Sequence, residues 1–516
     1  MREASRTKRT LQNSRMSLVL FLVQIVVGFY SRKVFLDYLG AEVLGLNTTL
    51  GNILSFMNLA ELGIGIAMST SLYKPIHEDD QETICEIISV QGWLYRRVAL
   101  LILIAGVAVM ALLPFLFPNT ECGLAYVYSS FAVFLFGTLT SYWWNYRQVL
   151  IGADQKNYKL QPWMHVVRYA VMGLQIFCLL IVDLGIWGWL FWTFLGNVLI
   201  VFVINAVLKK EYPWLHQSRV KGKELLDKYY HLIVMTKQLF VHKLAQFIIE
   251  QTTPLIIYAF VSLTMVTYYA NYMMLIGYTV TLMNVVFEGM GASIGNLVAE
   301  KQHRHTLEVF WELFTSRLWI AALACFALYL SIVPFISLWI GSQYLLSDST
   351  QLLLVVSMFI RMTRSVIDSF KNAYQLFADT WAPIVEGVLH LGGGLVLGWM
   401  WGLNGILLGG IVSQVVIVLL WKPYYTFRYG LKTSPRHYFW QYLTHCTLLL
   451  GCAVIIMYLC KLFHFHSETK GWISLFSYVT LTILLYTFST FALLYVFTGS
   501  MRRFTYRIIN ILKRRI

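Results

Sequence analysis

The sequence predicts an all-α polytopic membrane protein. About 14 transmembrane helices form two pseudo-repeated six-helix lobes plus a C-terminal helix pair. Three observations lead there. First, the 516 residues are 58% hydrophobic and only 13% charged, against about 25% charged in a soluble domain. Second, runs of roughly 20 apolar residues recur along the chain, the length needed to cross hydrocarbon as a helix. Third, short patterns recur at an offset of about 225 residues, as in transporters built from two like halves.

The elements follow in order. The basic start MREASRTKRTLQNSR leads into an apolar run with no small-residue cleavage site after it, which reads as span one. Spans are expected near 17–39, 43–73, 84–117, 123–150, 158–182 and 185–208. After the basic connector 209–228 come 229–260, 264–298, 306–340, 350–377, 381–400 and 403–427, then the added pair 441–462 and 472–498. The domain expectation is therefore 1–228, 229–440 and 441–516, the last with a basic tail. No connector is long enough to fold as a soluble domain. The seven cysteines are scattered, form no C-x-x-C pair and read as small buried hydrophobes.

Net charge is +15, but its distribution argues against nucleic acid as a partner. Connectors on the N-terminal side of the membrane hold about 26 Lys and Arg, and those on the other side about two. Both termini are thus expected in the cytoplasm, with the basic surface facing anionic inner-leaflet lipids.

The repeat rests on three pairs. NLAELGIGIAMS (58–69) is echoed by NVVFEGMGASIGN (284–296), RQVLIGADQK (147–156) by NAYQLFADTW (372–381), and GLN (45–47) by YAN (269–271). Polar residues follow helical spacing in both Glu-bearing spans. In the first they are Asn47, Gly51, Ser55, Asn58, Glu61, Gly65 and Ser69. In the second they are Gly277, Thr281, Asn284, Glu288, Gly291 and Gly295. Small-residue helix packing accounts for the glycines and serines; a hydrated face accounts for the carboxylates. Span seven adds Gln238, His242, Gln246 and Glu250, with Pro254 as a kink. Span ten places Arg361, Arg364, Asp368, Lys371, Gln375 and Asp379 along one side. Arg364 and Asp368 pair at i, i+4, leaving Arg361 and Lys371 locally uncompensated. That excess suggests a cationic cavity wall for an anionic ligand. Intramembrane carboxylates are candidate proton or sodium carriers: Glu61, Glu250, Glu288 and Asp368.

Other signals are weaker. Glu386 and His390 precede GGG (392–394) and suggest a packing contact with a polar pair. FHFHS (463–467) has too few ligands for a metal site. SYWWNYR (141–147) reads as an interfacial aromatic belt, with sugar stacking as the alternative. There is no P-loop, G-x-S-x-G or HExxH; neither a cofactor nor a metal is expected, and the chain is not expected to be an enzyme.

Several segments resemble the bacterial polysaccharide (O-antigen, Wzx-type) flippases of the multidrug/oligosaccharidyl-lipid/polysaccharide exporter superfamily. They are SRKVFLDYLGAEVLGLN (31–47), NILSFMNLAELGIGIAMSTSLYKPI (52–76), VTYYANYMMLI (266–276), SIGNLVAE (293–300) and SFKNAYQLFADTWAPIVEG (369–387). Thr253-Pro254 stands where that family often has Asp-Asn, which moves the coupling expectation there to Glu250. The resemblance implies alternating access by two rocking lobes in a bacterial inner membrane. The implied cargo is a polyprenyl-pyrophosphate-linked oligosaccharide for lipopolysaccharide or other surface glycans. A cationic, amide-lined cavity suits its head group, with Arg32, Asn47, Asn58, Arg147, Gln246, Asn271, Arg361, Arg364, Lys371 and Asn372 as the expected contacts. The competing readings are a multidrug or cation antiporter of the same superfamily, which the basic residues of spans one and ten disfavour, and a membrane polysaccharide polymerase or glycosyltransferase, which the very short external connectors disfavour.

Overall fold

The computed structural model describes residues 2–61, 63–118, 120–216, 221–286, 294–295, 297–298, 300, 302–462 and 471–513. Among these the chain is helical with no strand, and ten helices are long and apolar enough to cross a membrane. Large apolar side chains on them face outward: Phe115 is 80% exposed, Trp399 79% and Ile473 84%. A water-soluble surface does not carry such groups in bands, whereas hydrocarbon solvates them at no cost. This is an all-α polytopic membrane protein.

The chain divides into two compact units, Met1–Thr267 and Tyr268–Ile516. The first begins with α1 (Arg2–Met57), whose backbone is non-helical at Gly40 (φ 80°). That break falls between the expected spans 17–39 and 43–73. A 3-10 turn Asn58–Glu61 follows, then α2 (Ile64–Glu78) and α3 (Gln81–Leu116). Asp80 caps α3, accepting from the Thr83 amide at 3.0 Å and the Thr83 hydroxyl at 2.6 Å. These two bonds hold its carboxyl below the usual range. Next come α4 (Leu124–Trp143), a 3-10 turn Asn145–Arg147, α5 (Gln148–Ala153), α6 (Asn157–Phe177) with a π-helical end Cys178–Val182, and α7 (Gly185–Glu211). The short α8 (Lys221–Lys228) lies against α3, where Lys228 and Tyr229 both reach Glu86 at 2.6 Å. Helix α9 (Tyr230–Phe260) packs on α1 and α2.

One expectation is corrected here. The stretch 43–73 is not one helix with one polar face. It breaks at Asn58–Glu61 and restarts after Gly63, whose φ of 98° only glycine adopts readily. Asn58 and Glu61 therefore leave the register of Asn47, Gly51 and Ser55, and Gly65 and Ser69 belong to a new helix.

Helix α10 (Leu263–Val286) leads into the second unit. There α11 (His303–Trp339), α12 (Asp348–Ala373), α13 (Trp381–Ser413) and α14 (Lys422–Tyr425) follow; π-helical turns Gln414–Trp421 and Thr426–Gly430 flank α14. Helix α13 is broken at Trp401 and Gly402, between the expected spans 381–400 and 403–427. Its arms close on one another through glycines, so the GGG segment is a packing contact: a Cβ on Gly409 would lie 2.3 Å from the Gly393 carbonyl carbon. The chain continues through α15 (Pro435–Leu462), α16 (Trp472–Phe497) and α17 (Gly499–Lys513). Phe310 on α11 is the hub of this unit's aromatic core, with Phe370 and Phe427 each 5.1 Å away between ring centres. All seven cysteines are free, four of them buried.

Gly409→Ala tests the hairpin contact. The added methyl has no space beside the Gly393 backbone, and overpacking of this kind costs about 1–3 kcal/mol. A lower unfolding temperature of the detergent-solubilised protein is expected, with Gly451→Ala, where a Cβ meets open space, as the unaffected control.

Candidate functional site

The first unit contains a polar centre built on the helix break. The carboxylate of Glu61 accepts from the Tyr95 hydroxyl at 2.9 Å and from the Tyr142 hydroxyl at 2.6 Å. Tyr142 also lies 3.1 Å from the Asn58 amide oxygen. The two rings meet edge to face, 5.4 Å apart. Tyr142 is 2% exposed and Tyr95 4%, so both phenols meet the carboxylate away from bulk solvent. A cavity of about 350 Å³ opens beside it, lined by Asn58, Glu61, Thr138, Ser141, Thr193 and Asn197 with Phe134, Gly137 and Tyr142. The lining comes from the break after α1, from α4 and from α7. It holds one acid, two amides and four hydroxyls. Such a donor set takes a proton, a small cation or a hydroxylated ligand.

Tyr142 also corrects the reading of SYWWNYR as a belt. Trp144 is exposed to 42% as a belt residue is, but Tyr142, Asn145 and Tyr146 point into the protein and are buried. The signal available in the sequence was the alternation of these polar groups within the run, which an interfacial belt does not require.

The second unit contains an ionic cluster. Arg364 pairs with Asp368 at 2.9 Å, as its spacing predicts. Asp368 also faces Lys422 at 3.5 Å, and Lys422 faces Glu386 at 3.9 Å. Lys371 is held by both oxygens of Asp379, at 2.6 and 2.7 Å, and Trp421 donates to the same carboxylate at 3.1 Å. Span ten therefore does not carry Lys371 uncompensated. Helix α12 ends at Ala373, and Gln375 turns the chain with φ 56°. Asp379 is consequently off the helical face and folded back onto Lys371. Three cations meet three carboxylates, and among the described basic residues of this helix only exposed Arg361 lacks an ion-pair partner. Sequence reasoning did not assign Lys422 to the site, because its partners lie on other helices.

The other expected site residues are dispersed. Asn47 exchanges hydrogen bonds with the Tyr126 hydroxyl, at 3.1 Å from its amide nitrogen. Arg32 is half-buried on α1, and Arg147 is half-buried at the end of its 3-10 turn with its guanidinium 6.0 Å from the Tyr146 ring. Asn271 is fully buried on α10, and Asn372 is exposed on α12. Glu250 is exposed on α9. The Gln246 side chain lies outside the described residues, as do Glu288 and FHFHS. Asp368 is paired, so of the expected ion carriers among the described residues Glu61 is the one that lines a cavity; Asp79, Asp154 and Glu211, none of them expected, line another of about 540 Å³. Among the described residues no group of His, Cys, Asp and Glu could hold a metal ion.

This fold is shared with solved membrane transporters. The chain is similar to a solved lipid II flippase MurJ in an inward closed conformation, with a TM-score of 0.62 at 14% identity, over 92% of this chain and 98% of that one. It is also similar to a multidrug resistance MATE family transporter of the MOP superfamily in an inward-facing conformation, with a TM-score of 0.53 at 13% identity, over 81% and 99% of the two chains. A Vibrio cholerae MATE transporter, VcmN, gives a TM-score of 0.51 at 14% identity, over 83% and 99%. No family model and no curated protein sequence matches the chain. The chain thus shares the fold of these solved transporters; the similarity does not single out the O-antigen type.

Lys371 and Asp379 are 12% and 3% exposed. Removing one partner of such a pair costs roughly 3–5 kcal/mol. Lys371→Met is expected to lower the unfolding temperature sharply, and Lys371→Met with Asp379→Leu to recover most of it. A single variant as stable as wild type would show that the pair carries no such role.

Proposed function

We propose that this protein is a flippase. It moves a polyprenyl-pyrophosphate-linked oligosaccharide across a bacterial cytoplasmic membrane by alternating access, for lipopolysaccharide O-antigen or a related surface glycan. Both termini lie in the cytoplasm, and the chain is not an enzyme. The observation that carries the reading is the shared fold with a lipid II flippase over 92% of the chain. The MATE transporters above share the fold over 81–83% of it. The resemblance of 31–47, 52–76, 266–276 and 369–387 to polysaccharide flippases supports the same cargo class, as does the one-sided placement of basic connectors.

In this reading Glu61 carries the coupling ion, a proton or sodium. Its charge is stabilised by two phenol hydroxyls when free and is cancelled when the ion binds, so occupancy changes the free energy of the helix break at Gly63. Asn58 shares the site, and Arg361 offers a cation to the pyrophosphate. Arg364 and Lys371 contribute to that role only where they exchange their carboxylate partners for the cargo.

One observation favours the multidrug or cation antiporter reading of the same fold. The basic excess expected of span ten is neutralised at Arg364 and Lys371, and the cavity beside Glu61 is acidic and hydroxylated. A single reconstitution separates the two. Purified protein in vesicles is given the host's own lipid-linked repeat unit, and glycan reaching the far leaflet is measured. Gradient-driven leaflet exchange without bond breaking is expected. Glu61→Gln is expected to abolish the dependence on the gradient while the protein still inserts. Export of an organic cation without glycan movement would favour the antiporter, and turnover of a polyprenyl donor would favour an enzyme.

A further inference from the structure

The last helix carries an arrangement that the transport reading does not use. Helix α16 ends at Phe497, Thr498 is extended (φ −126°, ψ 126°), and α17 begins at Gly499. Only one residue therefore separates the end of a spanning helix from α17. The helix Gly499–Lys513 holds four basic residues and no acid, and it is not among the helices fit to cross a membrane.

One side of α17 is fixed to the protein. Met501 is fully buried in the second unit's core. The Ser500 hydroxyl bonds that of Thr315 at 2.7 Å. Arg503 and Arg507 both reach Glu312, at 3.7 and 3.0 Å, and that carboxylate is only 5% exposed. These contacts hold the helix on α11 and set its rotation. The opposite stripe is left open: Arg502, Tyr506, Ile509 and Lys513, at steps of four, three and four residues, lie on one face. All four are exposed, Tyr506 to 61%.

We infer that α17 lies in the membrane interface and that this stripe docks on anionic phospholipid headgroups. Three features select that occupant. The helix starts where a span leaves the hydrocarbon. Its open face carries an aromatic and an aliphatic group between two cations, the composition of interfacial helices. Its charge is wholly positive, which complements an anionic leaflet. The clamp on Glu312 makes the stripe a fixed surface, so headgroup binding there is sensed by α11 rather than by a loose tail.

The test uses the full-length protein in a neutral detergent, with an environment-sensitive fluorescent amino acid in place of Tyr506. It is titrated with short-chain phosphatidylglycerol and, separately, with short-chain phosphatidylcholine. A saturable blue shift with phosphatidylglycerol only is expected. Arg502→Gln should raise the half-saturating concentration by roughly fivefold, and Arg502→Gln with Lys513→Gln by about the square of that factor. These positions are exposed, so folding is preserved. Because the probe itself replaces Tyr506, restriction of spin-labelled phosphatidylglycerol by the unprobed protein in nanodiscs provides a second readout, with the same variants expected to lose it. Equal responses to both lipids, or charge variants that bind as wild type in both assays, would overturn the inference. So would a probe that stays aqueous with lipid and becomes shielded only by added cytosolic protein.

Discussion

A lone charge in hydrocarbon costs a few kcal/mol or more, and much of this chain's internal arrangement follows from how that cost is avoided. In the first unit Glu61 is offset by two phenol donors and an adjoining polar cavity. In the second, Arg364, Lys371 and Lys422 are offset by Asp368, Asp379 and Glu386. The two solutions differ in kind. The Glu61 carboxylate is held by neutral hydroxyls, whereas each cation of the second unit's cluster is held by a carboxylate.

Backbone geometry makes the first arrangement possible. An uninterrupted helix would carry Asn58 and Glu61 in register with Asn47, Gly51 and Ser55. The 3-10 turn and the left-handed Gly63 release them from it. Irregular backbone at membrane depth is tolerated where it lines a polar cavity, as Asn58 and Glu61 do here. The Glu61 carboxylate and the irregular backbone thus occur at one place. The break also separates α1 from α2, so the two helices do not share one register.

The ionic cluster has a different consequence. Three opposed pairs, two of them largely buried, are costly to separate, and they tie α12, α13 and α14 into one body. Any anionic cargo that engages these cations must displace Asp368, Asp379 or Glu386, so binding and the packing of the helix ends are linked. The π-helical turns on either side of Lys422 place its ammonium toward Asp368 and Glu386, off the regular α-helical register.

Much of the fold was legible in the sequence. Apolar runs of bilayer length identify membrane helices because lipid acts on each run independently of the others. The breaks near 40 and 401 were legible for the same reason, since polar or glycine-bearing interruptions end a run. What the sequence showed of the site was its residue types: Glu61, Asn58, and the Arg364–Asp368 pair, which is local at i, i+4. Only the tertiary structure decided their partners. Tyr95 and Tyr142 lie 34 and 81 residues from Glu61, and Lys422 lies 54 residues from Asp368; no periodicity within a helix links positions so distant. Asp379 was misread because one left-handed residue, Gln375, ended the helical register that placed it. Helical spacing predicts which groups share a face, but a single φ reversal or a neighbouring helix determines which of them meet.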